Sequence, residues 1–167
     1  LLAAAEDSSW PDGVDLVIVG DGALRPAVES AAGRNPRIRY LGTLPYAGVG
    51  PVVANALASA VLTYAPERAG YSPLKLYESM ACGVPVVCSD TPGQAEYVRE
   101  HDAGIVVPPE NPAAVALAVA SIAADPDGAT AMGARGRRAA EEYYSWDVRA
   151  RQRLSVIERA IERRTAG

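Results

Sequence analysis

The stretch SPLKLYESMACGVPVVCSD, residues 72–90, reads as a marked helix start, a helix, a glycine stop and a buried strand. Ser72 can cap the helix and Pro73 can take its first position, because proline has no N–H to waste and a pre-set φ. The residues from Pro73 to Gly83 have helical length. Those from Val84 to Asp90 are almost all apolar rather than alternating, the pattern of a strand buried on both faces.

The same alternation extends outward from this segment. Short β-rich runs are predicted at 14–20, 37–42, 60–65 and 103–108, separated by ALRPAVESAAG, AGVGPVVANALAS and GQAEYVRE, each of helical length. Strand and helix repeated in this way mean an α/β chain with a doubly wound parallel sheet and helices on both faces. From about residue 110 to residue 167 the pattern is helical only. In the last helix Trp146, Ala150, Leu154, Ile157 and Ile161 recur at the spacing of one buried stripe, expected to cover either this sheet or a neighbouring domain, and Ser145 is placed to cap it.

At 167 residues, 49% apolar and 22% charged, the chain fits a single domain, 1–167, folded around one main core. Its apolar runs are too short to cross a bilayer, and the opening LLAAAEDSSWPDG lacks the basic head and apolar middle of a signal peptide, so the expectation is a cytoplasmic protein. Cys82 and Cys88 read as small buried side chains rather than a disulfide or a zinc site. Residues 135–164 hold nine arginines against five acids, but the acids interleave with them, the pattern of a solvated helix face and not of a nucleic-acid-binding tail.

In an open parallel sheet, ligands bind beyond the carboxyl ends of the strands, and the loop at 65–72 is the longest candidate there. The helix that follows would offer the N–H groups of Leu74 and Lys75, together with the positive end of its dipole, to an anion such as phosphate. The Lys75 ammonium reinforces that site. Glu78 follows three residues after Lys75 on the same face, leaning back toward the mouth. A carboxylate there would repel a phosphate but can accept two hydroxyl hydrogen bonds, as from a ribose diol. The competing reading is an i,i+3 ion pair on an exposed helix.

Other signals carry less. GDGALR, 20–25, begins like a dinucleotide fingerprint, but Arg25 stands at the third glycine position, which leaves a tight turn opening a helix. Asp125-Pro126-Asp127 reads as punctuation between two helices rather than a metal site. His101 follows a charged helix end and reads as solvated or capping. No serine or cysteine has the setting of a nucleophile.

LVIVGDGALRPAVESAA, RIRYLGTL, SPLKLYESMACGVPVVCSDTPGQAEYV, AGIVVPPENPAAVALAVASIAADP and EEYYSWDVRA together resemble the C-terminal, donor-binding domain of family 4 (group 1) glycosyltransferases of the GT-B fold. The resemblance spans nearly the whole chain. It implies a Rossmann-like half of a GT-B enzyme that binds a nucleoside-diphosphate sugar, needs no metal or other cofactor, and retains anomeric configuration. Glu78 matches the second glutamate of the family's E-x7-E signature, implied to hold the donor ribose. The first glutamate falls on Gly70, a departure that Glu67 does not repair in register.

The resemblance further implies Ser72, Leu74 and Lys75 at the phosphates, Gly70 and Tyr71 along the sugar, and Gly22 and Gly93 on loops facing the same cleft. The family's domain opens with a strand and helix carrying an arginine and a lysine, whereas LLAAAE matches the end of that helix. The chain is therefore expected to be part of a longer enzyme with an N-terminal acceptor domain, inactive alone, whose parent could associate peripherally with membranes. The absent strand would be central, so a gap, a strand from a neighbouring copy, or a rearranged edge is expected. The rivals are a sugar-nucleotide epimerase of the same architecture, a nicotinamide dehydrogenase, which the incomplete glycine fingerprint argues against, and a non-catalytic module binding a partner through the final helix.

Overall fold

The computed structural model describes residues 1–63 and 74–165. Along the chain run α1 (Leu2–Ala5), β1 (Leu16–Ile18), α2 (Arg25–Arg34), β2 (Ile38–Tyr40), α3 (Tyr46–Ala54) and β3 (Ser59–Val61). They are followed by α4 (Leu74–Ala81), β4 (Val86–Ser89), α5 (Ala95–Glu100), β5 (Gly104–Val107), α6 (Pro112–Ala124) and α7 (Pro126–Ala139). A π-helical turn, Ala140–Tyr144, then leads into α8 (Trp146–Thr165). The strands and helices expected between residues 14 and 108 all form, with β-runs shortened to three or four residues.

All strand pairs are parallel. β1 pairs with β2, Leu16 opposite Ile38, and β3, β4 and β5 lie side by side in that order, with Val86 opposite both Ser59 and Gly104. Among the described residues no strand pairing joins the two sheets, so the outcome at the expected central position is a break between β1 and β3. The expectation of strands buried on both faces is corrected for a separate reason, since Val17 and its register partner Arg39 point to a face left open to solvent. Only β4, which has a neighbour on each side, is buried throughout, whereas Val17 of β1 is 40% exposed and Ala60 of β3 is open.

β4 shows how helices cover both faces. Successive strand side chains point to opposite sides. Val87 joins Leu16, Ile38, Val107 and the apolar faces of α1 and α6, while Val86 and Cys88 join Leu76, Met80, Val98 and the end of α7. The helix boundaries follow local chemistry. The Asn111 side chain accepts from the Ala114 amide at 3.0 Å to cap α6, and Asp125 accepts from Gly128 at 2.9 Å to cap α7, each just before a proline at the first helical position. Asp125-Pro126-Asp127 is therefore punctuation.

Of the two partners expected for the C-terminal stripe, the sheet is not the one covered, since the core does not include the stripe. Ser145 does cap α8, its hydroxyl accepting from the Val148 amide at 3.4 Å. The stripe, however, is not buried: Trp146 is 80% exposed, and Leu154, Ile157 and Ile161 are each more than half exposed. Among the described elements α8 packs chiefly on the π-turn.

The packing of α7 on α4 depends on small residues. A Cβ on Gly133 would lie 2.1 Å from the Gly83 carbonyl oxygen, a backbone atom with nowhere to move. Alanine in a helix interior is ordinarily better than glycine by about 0.5–1 kcal/mol. Gly33→Ala, with open space around it, is expected to raise stability by about that amount. Gly133→Ala is expected to lower it by about 2 kcal/mol or more. Chemical denaturation of the two variants checks the opposite signs.

Candidate functional site

α4 buries one face completely. Leu76 and Met80 are 0% exposed and Ser79 is 3% exposed. The Ser79 hydroxyl donates to the Lys75 carbonyl at 2.7 Å and lies 2.7 Å from the Ser59 hydroxyl. Since Ser79 has one proton and has given it to Lys75, Ser59 is the donor in the second bond. The pair locks α4 onto β3.

The opposite face carries Leu74, Lys75, Glu78 and Ala81, all exposed. The competing i,i+3 ion pair is not formed, and among the described residues neither Lys75 nor Glu78 has an ion-pair partner. An ammonium and a carboxylate thus share one open helix face, each available to a ligand. Gly70, Tyr71, Ser72, Pro73 and Glu67 lie outside the described residues, and with them the expected cap of α4.

Beneath this helix the carboxyl ends of β3 and β4 are tied together by a side chain that the sequence reading missed. Gln94 is 2% exposed, and its amide donates to the Ser89 carbonyl at 2.9 Å, the Thr63 hydroxyl at 2.7 Å and the Val61 carbonyl at 3.4 Å. Ser89 accepts from the Thr63 amide at 3.1 Å, and the Thr63 and Thr91 hydroxyls lie 3.1 Å apart. A buried polar group this fully satisfied fixes the loops it joins. The only signal in the sequence was a polar residue directly after Pro92-Gly93, where helix α5 starts.

The two glycines predicted for the cleft sit after β1 and β4. Gly93 has φ 85°, a conformation that favours glycine, and its N–H donates to Glu96 at 2.9 Å. Gly22 donates to Asp21 at 2.8 Å, and Arg25 bridges Asp21 and Glu29. Arg25 thus serves the turn that opens α2, as its place in GDGALR indicated. No described contact joins Gly22 to α4, whereas Gly93 belongs to the loop held by Gln94.

The titratable groups nearby have structural partners. Arg99 clamps Asp90 through two bonds, of 3.0 and 2.7 Å, and holds its carboxyl below the ordinary carboxylate range. Burial pushes the Cys88 thiol up to about 12, so it stays neutral and unreactive. Cys82 is a half-buried free thiol. His101 follows the last residue of α5 and is bonded to the Tyr144 hydroxyl at 2.9 Å. Among the described residues no group of His, Cys, Asp or Glu side chains could hold a metal ion, and no helix is long and apolar enough to cross a membrane.

A groove of about 600 Å³ lies at the other end of the strands, lined by Ala5, Trp10, Asn35 and the residues around them. Its cations are engaged, Arg37 with Asp12 and Arg34 with Glu6. It presents mixed charge to solvent and offers no acid or base set apart from a partner.

Comparison with known proteins places these features in context. Residues 1–125 match the family model described as glycosyl transferases group 1. The phosphatidyl-myo-inositol mannosyltransferase of Mycobacterium leprae is 34% identical over 148 residues, 88% of this chain and 38% of that protein. The D-inositol 3-phosphate glycosyltransferase of Thermobispora bispora is 28% identical, over 86% of this chain and 33% of its own length. Among solved structures, Anabaena HepE in complex with UDP superposes with a TM-score of 0.82 at 20% identity, over 95% of this chain and 44% of HepE. The sucrose-phosphate synthase of Thermosynechococcus elongatus gives 0.79 at 26% identity, over 96% and 41%. The α/β architecture is that of GT-B glycosyltransferases, and the chain spans less than half the length of these relatives.

The Cys88 thiol sets a pH dependence. Its folded value of about 12 lies above its ordinary one. Below pH 8 neither state is ionised and nothing is lost. Between about pH 9 and 12 the unfolded chain releases a proton that the folded chain keeps, so stability falls as pH rises, by at most about 1.4 kcal/mol per pH unit from this group. The Cys88→Ala variant is expected to show a shallower alkaline slope in urea titrations at pH 8 to 10.5. Native protein at pH 8 is expected to resist alkylation at Cys88 until denaturant is added.

Proposed function

The chain belongs to the group 1 glycosyltransferases, and from that premise we propose that it is the donor-binding domain of a retaining transferase that moves a sugar from a nucleoside diphosphate to an acceptor hydroxyl. The observation that carries this reading is the pairing of Lys75 and Glu78 on one exposed face of α4, side by side and without ion-pair partners among the described residues. A cation and an anion left open together suit a ligand that itself has an anionic half and a hydroxyl-bearing half.

In this proposal the amide groups of the first turn of α4 and the Lys75 ammonium receive the diphosphate. They favour its extra charge as the glycosidic bond lengthens, the kind of preorganised electrostatic help that dominates many group-transfer reactions. Glu78 accepts hydrogen bonds from the two ribose hydroxyls, anchoring the nucleoside so that binding energy remote from the reacting carbon positions it. Ser72 assists at the phosphates, Gly70 and Tyr71 run along the sugar, and Gly93 and Gly22 shape the walls. Its amide bond to Glu96 leaves Gly93 a steric role.

No metal is required, because helix dipole, amides and lysine already supply positive charge. The solved complexes of HepE with UDP and with UDP-glucose support a nucleotide sugar as ligand. The acceptor would be held by a separate domain of the same polypeptide, at the cytoplasmic side. The phosphatidylinositol named in the mycobacterial relative supports an acceptor at a lipid surface and a peripherally associated parent enzyme. The family match leaves the epimerase and the non-catalytic module without support.

Calorimetric titration with UDP, GDP, ADP and inorganic pyrophosphate tests the reading. Glu78→Ala is expected to weaken the preferred nucleotide about tenfold or more, the loss of charge-assisted hydrogen bonds, while leaving pyrophosphate nearly unchanged. Lys75→Ala is expected to weaken both ligands. Equal affinities of every ligand for all three proteins would overturn the assignment.

A further inference from the structure

Burial of Leu76 and Met80 and the Ser79–Ser59 hydrogen bond decide which face of α4 is open, but apolar packing has no direction of its own and leaves the finer setting of the helix to other contacts. A functional carboxylate must be held to within about 10–20° of its working orientation. What supplies direction is Tyr77, the residue before Glu78. Its ring stacks on Tyr144 with centroids 4.8 Å apart and planes 26° apart, and meets Tyr97 of α5 at 5.8 Å. Tyr97 and Tyr144 close the triangle edge-on at 5.1 Å. Rings arranged this way prefer defined offsets and angles, so the cluster resists rotation where an aliphatic contact would slide.

Tyr144 is itself held from several sides. Its hydroxyl bonds to His101 at 2.9 Å, and the Arg149 guanidinium lies over its ring, 5.4 Å from the centroid. It closes the π-helical turn Ala140–Tyr144, after which Ser145 is extended, with φ −63° and ψ 150°. A π-turn is rarely favoured over continued α-helix and is frequent at functional sites. Had α7 continued as an α-helix, Tyr144 would sit on a different bearing, because each helical residue turns about 100°.

We propose that Tyr144, aimed by the π-turn, is a positioning residue for Glu78: stacked on Tyr77, it sets the rotation of α4 and hence where the carboxylate meets the ligand. The proposal rests on the donor-site reading of Glu78. It separates two properties of α4: which face is open, which Leu76, Met80 and the Ser79–Ser59 bond secure, and the fine orientation of that face, which Tyr144 secures.

The test compares the preferred diphosphate among UDP, GDP and ADP with its 2′,3′-dideoxy form, whose missing hydroxyls bypass Glu78. Wild type is expected to favour the ribonucleotide by about tenfold, the loss that two hydroxyl contacts to a carboxylate would produce. Tyr144→Ala is expected to reduce that preference to below about threefold. Tyr144→Phe, which keeps the stack and loses only the bond to His101, is expected to restore it. A merely structural role would lower the melting temperature without moving the ratio.

Hydrogen exchange of the α4 amides in ligand-free protein gives a second readout, expected to quicken in Tyr144→Ala while β4 is unchanged, and Tyr144→Leu serves if the alanine variant does not fold. An unchanged ratio, or unchanged exchange in α4, overturns the positioning role. A wild type with no ribose preference instead overturns the reading of Glu78, a distinct result.

Discussion

Everything in the candidate site depends on α4 having one face that cannot leave the core. Leu76 and Met80 are wholly buried, and Ser79 is bonded to the Ser59 hydroxyl of β3. A turn of one residue, about 100°, would drive Glu78 or Lys75 into that interior and expose Leu76 or Met80. Burying either charge without a partner costs several kcal/mol. The exposed line of Leu74, Lys75, Glu78 and Ala81 is therefore the consequence of burial on the other side, and α7 enforces it by laying Gly133 and Gly136 against Gly83 and Met80.

The layout around that helix follows the general rule for parallel sheets. Gln94, Ser89, Thr63 and Thr91 gather where β3 and β4 end, the edge at which such folds bind ligands. A polar knot there rigidifies the floor without leaving an unsatisfied group. The mixed-charge groove at the opposite end, lined by Glu6, Asp12, Arg34 and Arg37, has its cations already matched to carboxylates.

Much of this was legible in the sequence because local chemistry and tertiary placement agree. The unbroken apolar run from Val84 announced β4, Asp125-Pro126 announced the break between two helices, and Ser145 announced α8. What was not legible concerned neighbours. VDLVIVG reads as a fully buried strand, yet Val17 lies opposite the exposed Arg39 of β2 on a face open to solvent. The stripe of Trp146, Leu154 and Ile157 has the right period for burial, but period says nothing about whether an element lies opposite. Gln94 and Tyr144 were missed for a related reason, since each acts through contacts with residues 31 and 67 positions away, Thr63 and Tyr77, which no local pattern encodes.

The open face of α4 is proposed to receive a nucleoside diphosphate. The most direct measurement is a backbone amide NMR titration of the chain with the tightest-binding of UDP, GDP and ADP. The largest shifts are expected at Leu74, Lys75 and Glu78, with smaller ones at Gly93 and Gln94. Shifts concentrated instead at Glu6, Trp10, Asn35 and Arg37, with α4 silent, would contradict it.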